Sequence, residues 1–395
     1  MTTTHQPPGF RTALDGLTGY RPEEPARSPD GRSYALAANE TPFGPLPAVT
    51  EAVREAVQGV NRYPDNGGRA LVAELAERFG LDPEGIALGC GSVGVTQQLL
   101  TAVAEPGTEI LYAWPSFEAY RLLTRLAGAT SVEVPLREGR HDLAAMAERI
   151  TDRTRLVFVC NPNNPTGTVV GRAELEEFLD RVPPGCLVVL DEAYHEYVRD
   201  PDVPDGLTLL AGRPRLVVLR TFSKAYGLAG LRIGYAAGHR EVIGVLRRAY
   251  LPYSAGGVAQ AAAIAALRSG DEVRRRTDVI TAERARVAAA LTAHGHPVTA
   301  SEANFLWLPL GGGAAAFGAH CAGAGVSVRA VAGAGVRVTL GLPADNDAFL
   351  AAATTFPAGG AAAVPAGGTA VPSTATTAPP TAATTPPAAI TVPPA

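Results

Sequence analysis

Cysteine is scarce in this chain of 395 residues: Cys90, Cys160, Cys186 and Cys321 stand far apart. None has the short spacing of a metal-ligand pair. Each lies in an apolar or glycine context, so buried free thiols are expected rather than a disulfide framework or a metal site. Charge of one sign is also lacking. The formal net charge is −4 and the basic residues are spread out, which gives no footing for nucleic acid or an anionic membrane surface. No stretch has eighteen uninterrupted apolar residues, and residues 1–8 are polar, without the apolar centre of an export signal. A cytoplasmic location is the expectation. The seven histidines do not cluster beyond His294 and His296, which flank a glycine in an expected turn, so no metal is expected there.

What is present centres on Lys224, within Arg220-Thr-Phe-Ser-Lys-Ala-Tyr-Gly-Leu-Ala-Gly-Leu-Arg-Ile-Gly-Tyr235. The aliphatic run 216–219 leads into it, so the lysine lies just past a buried strand. A lysine there costs desolvation free energy unless its charge is paired or its pKa falls. A lowered pKa is what Schiff-base chemistry with an aldehyde needs. Arg232 supplies a fixed cation eight residues on, and Thr221 and Ser223 supply hydroxyls. This grouping suits an anionic aldehyde, pyridoxal phosphate.

Two further apolar runs precede it. Residues 156–160 lead into Asn161-Pro-Asn-Asn-Pro-Thr-Gly167, and residues 186–190 lead into Asp191-Glu-Ala-Tyr194. Short continuous apolar runs alternating with helical segments read as strands of a mostly parallel sheet, buried on both faces. Ligands collect outside the carboxyl ends of such strands, so Asn161, Asp191 and Lys224 are expected to converge on one crevice. An aspartate beside a pyridine nitrogen keeps it protonated, and Tyr194 and Asn161 suit a phenolic oxygen. A glycine cluster, Gly89-Cys-Gly-Ser-Val-Gly94, stands between a predicted strand at 86–88 and a predicted helix. Its amides can bind a phosphate.

These segments, together with Ala38-Asn-Glu-Thr-Pro-Phe-Gly-Pro45, Arg62-Tyr-Pro-Asp65 and Val336-Arg-Val-Thr-Leu-Gly341, resemble the aspartate-aminotransferase-like pyridoxal-phosphate enzymes, in the histidinol-phosphate aminotransferase branch. The likeness spans roughly residues 15–352. In Asn61-Arg-Tyr-Pro-Asp-Asn-Gly67, Gly89-Cys-Gly-Ser-Val93 and Pro343-Ala-Asp-Asn-Asp-Ala-Phe-Leu350 the chain is most similar, within the branch, to actinobacterial aromatic amino acid (phenylalanine) aminotransferases. Val93 and Gly94 stand where histidinol-phosphate enzymes usually carry an acidic pair. The resemblance implies an α/β fold, with a large domain on a mostly parallel sheet and a small α+β domain. It implies that Lys224 holds the cofactor as a Schiff base and Asp191 pairs with the ring nitrogen. Asn161 and Tyr194 would meet the phenolic oxygen, and Ser223, Arg232, Ser92 and Val93 the phosphate. Phe117 would stack on the ring, and Tyr63 would reach the phosphate of the partner subunit in an obligate homodimer. Arg337 would bind the substrate carboxylate, with Arg329, Tyr20 and Asn39 nearby.

The expected organisation is an arm (1–30), a large cofactor domain (31–265), a connecting helix with a small domain (266–352) and an Ala/Thr/Pro-rich disordered tail (353–395). The connecting helix is predicted over 271–293, with Val273, Val279, Ala282 and Val287 on its apolar side. The expected activity is transamination between an aromatic amino acid and 2-oxoglutarate. Histidinol phosphate is the alternative donor, and a related decarboxylase would share every cofactor residue.

Overall fold

The computed structural model describes Gly9, Arg11, Leu14 and residues 25–357. The expectations for Tyr20, for most of the arm and for the tail beyond 357 lie outside those residues; the helix Pro343–Thr355, with Ala353 buried, corrects the expected start of the tail at 353. A short strand, β1 (Tyr34–Ala35), comes first. The central sheet then uses β2 (Ile86–Gly89), β3 (Glu109–Trp114), β4 (Thr130–Pro135), β5 (Thr154–Cys160), β6 (Leu187–Asp191), β7 (Leu216–Thr221) and β8 (Gly234–Gly238). Their spatial order is β2-β8-β7-β6-β5-β3-β4. Only β8 among these seven runs against the others.

The apolar runs become strands because helices cover both faces of the sheet. Along β5, Leu156 and Phe158 pack with Leu99 and Tyr120 on one side. Val157 and Val159 pack with Leu175 and Phe178 on the other. Each such side chain, fully buried, contributes ~1.5–3 kcal/mol. Phe158→Ala would remove ~3–5 kcal/mol and the ring beneath Tyr120.

The order of the strands also fixes where a ligand goes. From β3 the chain crosses to the edge strand β4, and from β5 it turns the opposite way to β6. The carboxyl ends of β3 and β5 therefore flank a switch point, the place where open α/β sheets bind ligands.

The helix Gly270–Ala293 forms as predicted, but with a different buried face. Val273, Thr277, Ile280, Glu283, Arg284, Val287 and Leu291 face inward, the 3.6-residue progression from Val273. Val279 and Ala282 are exposed, which corrects the apolar side expected from sequence.

After this helix come β9 (Phe305–Leu308), β10 (Val326–Ser327), β11 (Arg329–Val331) and β12 (Gly335–Thr339). The antiparallel order is β11-β12-β9, and β1 pairs in parallel with β10. Leu36 N–H donates to Ser327 O, and Thr339 N–H donates to Leu36 O. Those bonds carry the segment 37–39 toward the ends of the central strands. Cys160, Cys186 and Cys321 are buried free thiols, but Cys90 is exposed. It stands between Gly89 and Gly91, which have no side chains to cover it. No helix among the described residues is long and apolar enough to cross a membrane.

Candidate active site

Four strand ends supply the site. Asp191 closes β6 and is buried. Lys224 follows β7 and is half-buried; its Nζ donates to Ala38 O at 3.0 Å and lies 5.9 Å from the centre of the Tyr194 ring. Burial is the main cause that lowers the Lys224 pKa, to about 7. The Arg337 cation pushes the same way, Glu40 opposes, and Arg232 adds a smaller push downward. An amine that loses its proton near neutrality is one of the two outcomes open to a lysine at this position.

Arg337, on β12, reaches the same place. Its Nη1 donates to Asn164 Oδ1 at 2.5 Å, and its Nη2 donates to Ala37 O. Asn39 sits beside them with φ 54°, a left-handed conformation that asparagine tolerates. Its Nδ2 donates to the Tyr194 hydroxyl at 3.0 Å. The Thr339 hydroxyl donates to Asn39 Oδ1, and Asn304 Nδ2 donates to Asn39 O. Tyr194 is buried, and burial drives its phenol pKa upward, so it stays protonated.

Asp191 is a buried carboxylate with no salt bridge among the described residues. Ala193 N–H donates to its Oδ1 at 3.2 Å, and the Tyr120 hydroxyl donates to its Oδ2 at 2.5 Å. Burial raises its pKa to about 6, with the Tyr120 and Ala193 hydrogen bonds opposing. A carboxylate taken from water without a cation is destabilising, and a protonated ring nitrogen would supply that charge.

The anion cradle lies at the start of the helix Gly91–Val103. No side chain caps that helix, which leaves the first-turn amides of Ser92 and Val93 for an anion. Gly91 has φ +70°, and a Cβ there would strike the Arg232 guanidinium. A Cβ on Gly234, the first residue of β8, would come 2.5 Å from Ser92 N. Glycine is required at both because backbone and guanidinium close in on one point. Arg232 holds φ 57°, and its Nη1 donates to Ser223 Oγ at 3.2 Å and to Ala229 O at 2.9 Å. A non-glycine residue held in that conformation costs of order 1 kcal/mol, offset where the surroundings fix it. The amides, the hydroxyl and the cation fit a phosphate. Lys224 fits the aldehyde, and Asp191 the ring nitrogen.

The remaining expected residues have other partners within the chain. Asn161 does not face the crevice with a free amide: its Nδ2 donates to Val170 O, and its Oδ1 accepts from Val170 N–H, closing the 161–170 loop. Asn164, unremarked in the sequence, is the asparagine of that loop that meets Arg337. Phe117 starts the helix Glu118–Ala127 and meets Tyr120 edge-on, with ring centres 5.5 Å apart. Arg329 Nη2 reaches Glu118 at 2.8 Å. Tyr63 is 82% exposed and stacks on Tyr253 at 4.5 Å, so within one chain it stays in solvent. One further signal in the sequence bears on the site: Lys224 is the single lysine of the chain.

Comparison with known proteins bears on the family. The family described as aminotransferase class I and II matches residues 34–352. An aromatic amino acid aminotransferase of Thermobifida fusca is 57% identical over 352 residues, covering 89% of this chain and 98% of that protein. A counterpart in Streptomyces avermitilis is 54% identical over 344 residues, covering 87% and 96%. Among solved structures, histidinol-phosphate aminotransferase from Sinorhizobium meliloti, in complex with pyridoxal-5'-phosphate, has a TM-score of 0.80 and 27% identity, covering 89% of this chain and 98% of that one. An aromatic aminotransferase from Pyrococcus horikoshii has a TM-score of 0.73 and 25% identity, covering 82% and 94%. The chain belongs to the aminotransferase class I and II family.

Proposed function

We propose that the chain is a pyridoxal-phosphate-dependent aminotransferase that moves the amino group between an aromatic amino acid and 2-oxoglutarate. The observation that carries the reading is the placement of the Lys224 amine, which donates to Ala38 O next to the Arg337 guanidinium on Ala37 O, with Asp191 closing the neighbouring strand β6. The identity above 50% to curated aromatic amino acid aminotransferases supports the donor class. Val93 and Gly94 in the cradle support it as well, since an acidic pair there marks histidinol-phosphate enzymes.

When bound, pyridoxal phosphate supplies an aldehyde that joins amines and a ring that accepts the electrons of a broken Cα bond. The protein does the rest. Ser92, Val93, Ser223 and Arg232 would hold the phosphate, and Phe117 would supply an apolar face for the ring. Asp191 keeps the ring nitrogen protonated. Tyr194, and Asn164 in place of Asn161, would serve the phenolic oxygen. Arg337 binds the substrate carboxylate, for which a guanidinium fork is matched. Lys224, which loses its proton near neutrality, would serve as the base that removes the substrate Cα proton. Arg329 lies further out, tied to Glu118.

The same reading includes a homodimer with shared sites. Val57, Val60, Tyr63, Leu251 and Tyr253 are exposed, and Tyr63 and Tyr253 stack on one another. Large exposed side chains of this kind mark interaction surfaces. Tyr63 would reach the partner's phosphate from there.

Purified enzyme assayed with phenylalanine, tyrosine, tryptophan and histidinol phosphate, each with 2-oxoglutarate, tests the donor class. Higher kcat/KM for the aromatic donors is expected. Preference for histidinol phosphate, or release of carbon dioxide, would overturn the reading.

A further inference from the structure

Tyr120 is among the most completely buried side chains, with 0% of its surface exposed. Its ring lies flat on Phe158, centres 4.2 Å apart and planes 8° from parallel. Phe117 and Tyr112 hold it from the sides at 5.5 and 5.8 Å. Packing of this kind fixes where the ring lies. Packing alone would be met by phenylalanine. A buried hydroxyl is unfavourable unless it makes a hydrogen bond, and this one donates to Asp191 Oδ2 at 2.5 Å.

We propose that Tyr120 is a positioning residue, whose fixed hydroxyl holds Asp191 as an oriented anion for the ring nitrogen of the cofactor. This rests on the aminotransferase reading above. The carboxylate has one oxygen tied to Ala193 N–H and the other to Tyr120, and each oxygen keeps acceptor capacity for a third partner. The two donors stop the carboxylate from rotating about its own bond. Burial drives the phenol pKa of Tyr120 far up, so it remains a donor at any working pH. For Asp191 the two effects oppose: burial favours the neutral acid, and the Tyr120 hydrogen bond is the strongest influence favouring the anion. Without it Asp191 takes up a proton more readily, and a neutral acid does not stabilise a protonated ring.

Tyr120→Phe tests this without changing the packing. The apo-protein is titrated with pyridoxal phosphate, and in parallel with its carbocyclic analogue, in which carbon replaces the ring nitrogen. In Tyr120→Phe the Kd for the natural cofactor should rise about tenfold, the loss of one hydrogen bond to a charged group. The Kd for the analogue should equal that of the wild type, because no ring nitrogen is there to be served. kcat for the amino donor should fall with KM nearly constant. Equal weakening toward both cofactors would assign Tyr120 to packing and overturn the proposal, as would an unchanged Kd for the natural one. If Tyr120→Phe does not fold, 4-aminophenylalanine at position 120 keeps a donor and should keep the affinity. Then 4-fluorophenylalanine, of similar shape without a donor, should lose it. A wild type that takes up no cofactor would instead overturn the aminotransferase reading, and this inference with it.

Discussion

Arg329 and Arg337 stand directly opposite one another in the β11–β12 register, yet their guanidinium groups serve different places. Arg329 meets Glu118, while Arg337 meets Asn164 and the carbonyl of Ala37, beside the Lys224 amine. Arg337→Ala should therefore lower kcat/KM for the amino donor about 100-fold or more, equivalent to ~2.7 kcal/mol for a lost charge-assisted pair. Arg329→Ala should change it only a few-fold. Steady-state kinetics of the two variants decide between them, and a larger loss in Arg329→Ala would exchange their roles.

The Lys224 amine should titrate in the apo-protein at about 7, against about 10.4 for an ordinary lysine. Because the chain has one lysine, amine reactivity followed by isotope-labelled reductive methylation reports this group beside the α-amine. Arg337→Met removes a repelling cation, so the midpoint should rise. A folded-state value below the unfolded one means that the unfolded chain binds more protons between the two. Below pH 7 Lys224 is therefore fully destabilising, and that effect fades as pH rises from about 7 toward 10.4. Lys224→Met should melt higher than wild-type apo-protein at pH 6, and the gap should close at alkaline pH. A gap that widens with pH would contradict the burial of the amine.

Gly234→Ala should cripple cofactor retention with little need of chemistry to see it. The new methyl group would press on Ser92 N and displace the amides of the cradle. Equilibrium dialysis of pyridoxal phosphate should show Kd raised by at least tenfold, while Gly244→Ala, where a Cβ meets open space, should bind as wild type. Equal affinity in Gly234→Ala would remove the cradle from the phosphate site.

Tyr63 should act across the dimer. Tyr63→Ala and Lys224→Ala, each inactive or nearly so, are mixed, dissociated and reassociated. If the tyrosine serves the partner's site, a heterodimer has one site with both defects and one with neither, and activity returns. No recovery, with heterodimers shown by native mass spectrometry, would rule out sharing. Tyr63 is exposed and stacked on Tyr253, so a gain of protection at both on dimerisation is the accompanying expectation.

The convergence of the candidate residues was legible because they lie where strands end. The apolar runs before Asn161, Asp191 and Lys224 are long enough to read as buried strands, and a parallel sheet brings their ends together whatever the helices between them do. Choices within a loop were not legible. Asn161 and Asn164 belong to the same seven-residue segment, and only the fold shows that Val170 occupies the first while Arg337 meets the second. The face of the long helix was misjudged because valine and alanine were weighed by hydrophobicity alone. Glu283 and Arg284 instead point inward, where Glu283 pairs with Arg286 and Arg284 with Glu302. Tyr120 escaped notice since an aromatic residue near an apolar strand reads as core, and nothing local shows that its hydroxyl ends at Asp191.

Covalent labelling at the only lysine tests the central claim most directly. The protein is incubated with pyridoxal phosphate, treated with borohydride, digested and examined by mass spectrometry. One phosphopyridoxyl group per chain, carried by the peptide containing Lys224, together with loss of transamination in Lys224→Ala, is the result expected. Label confined to the α-amine, or wild-type turnover in Lys224→Ala, would contradict the assignment.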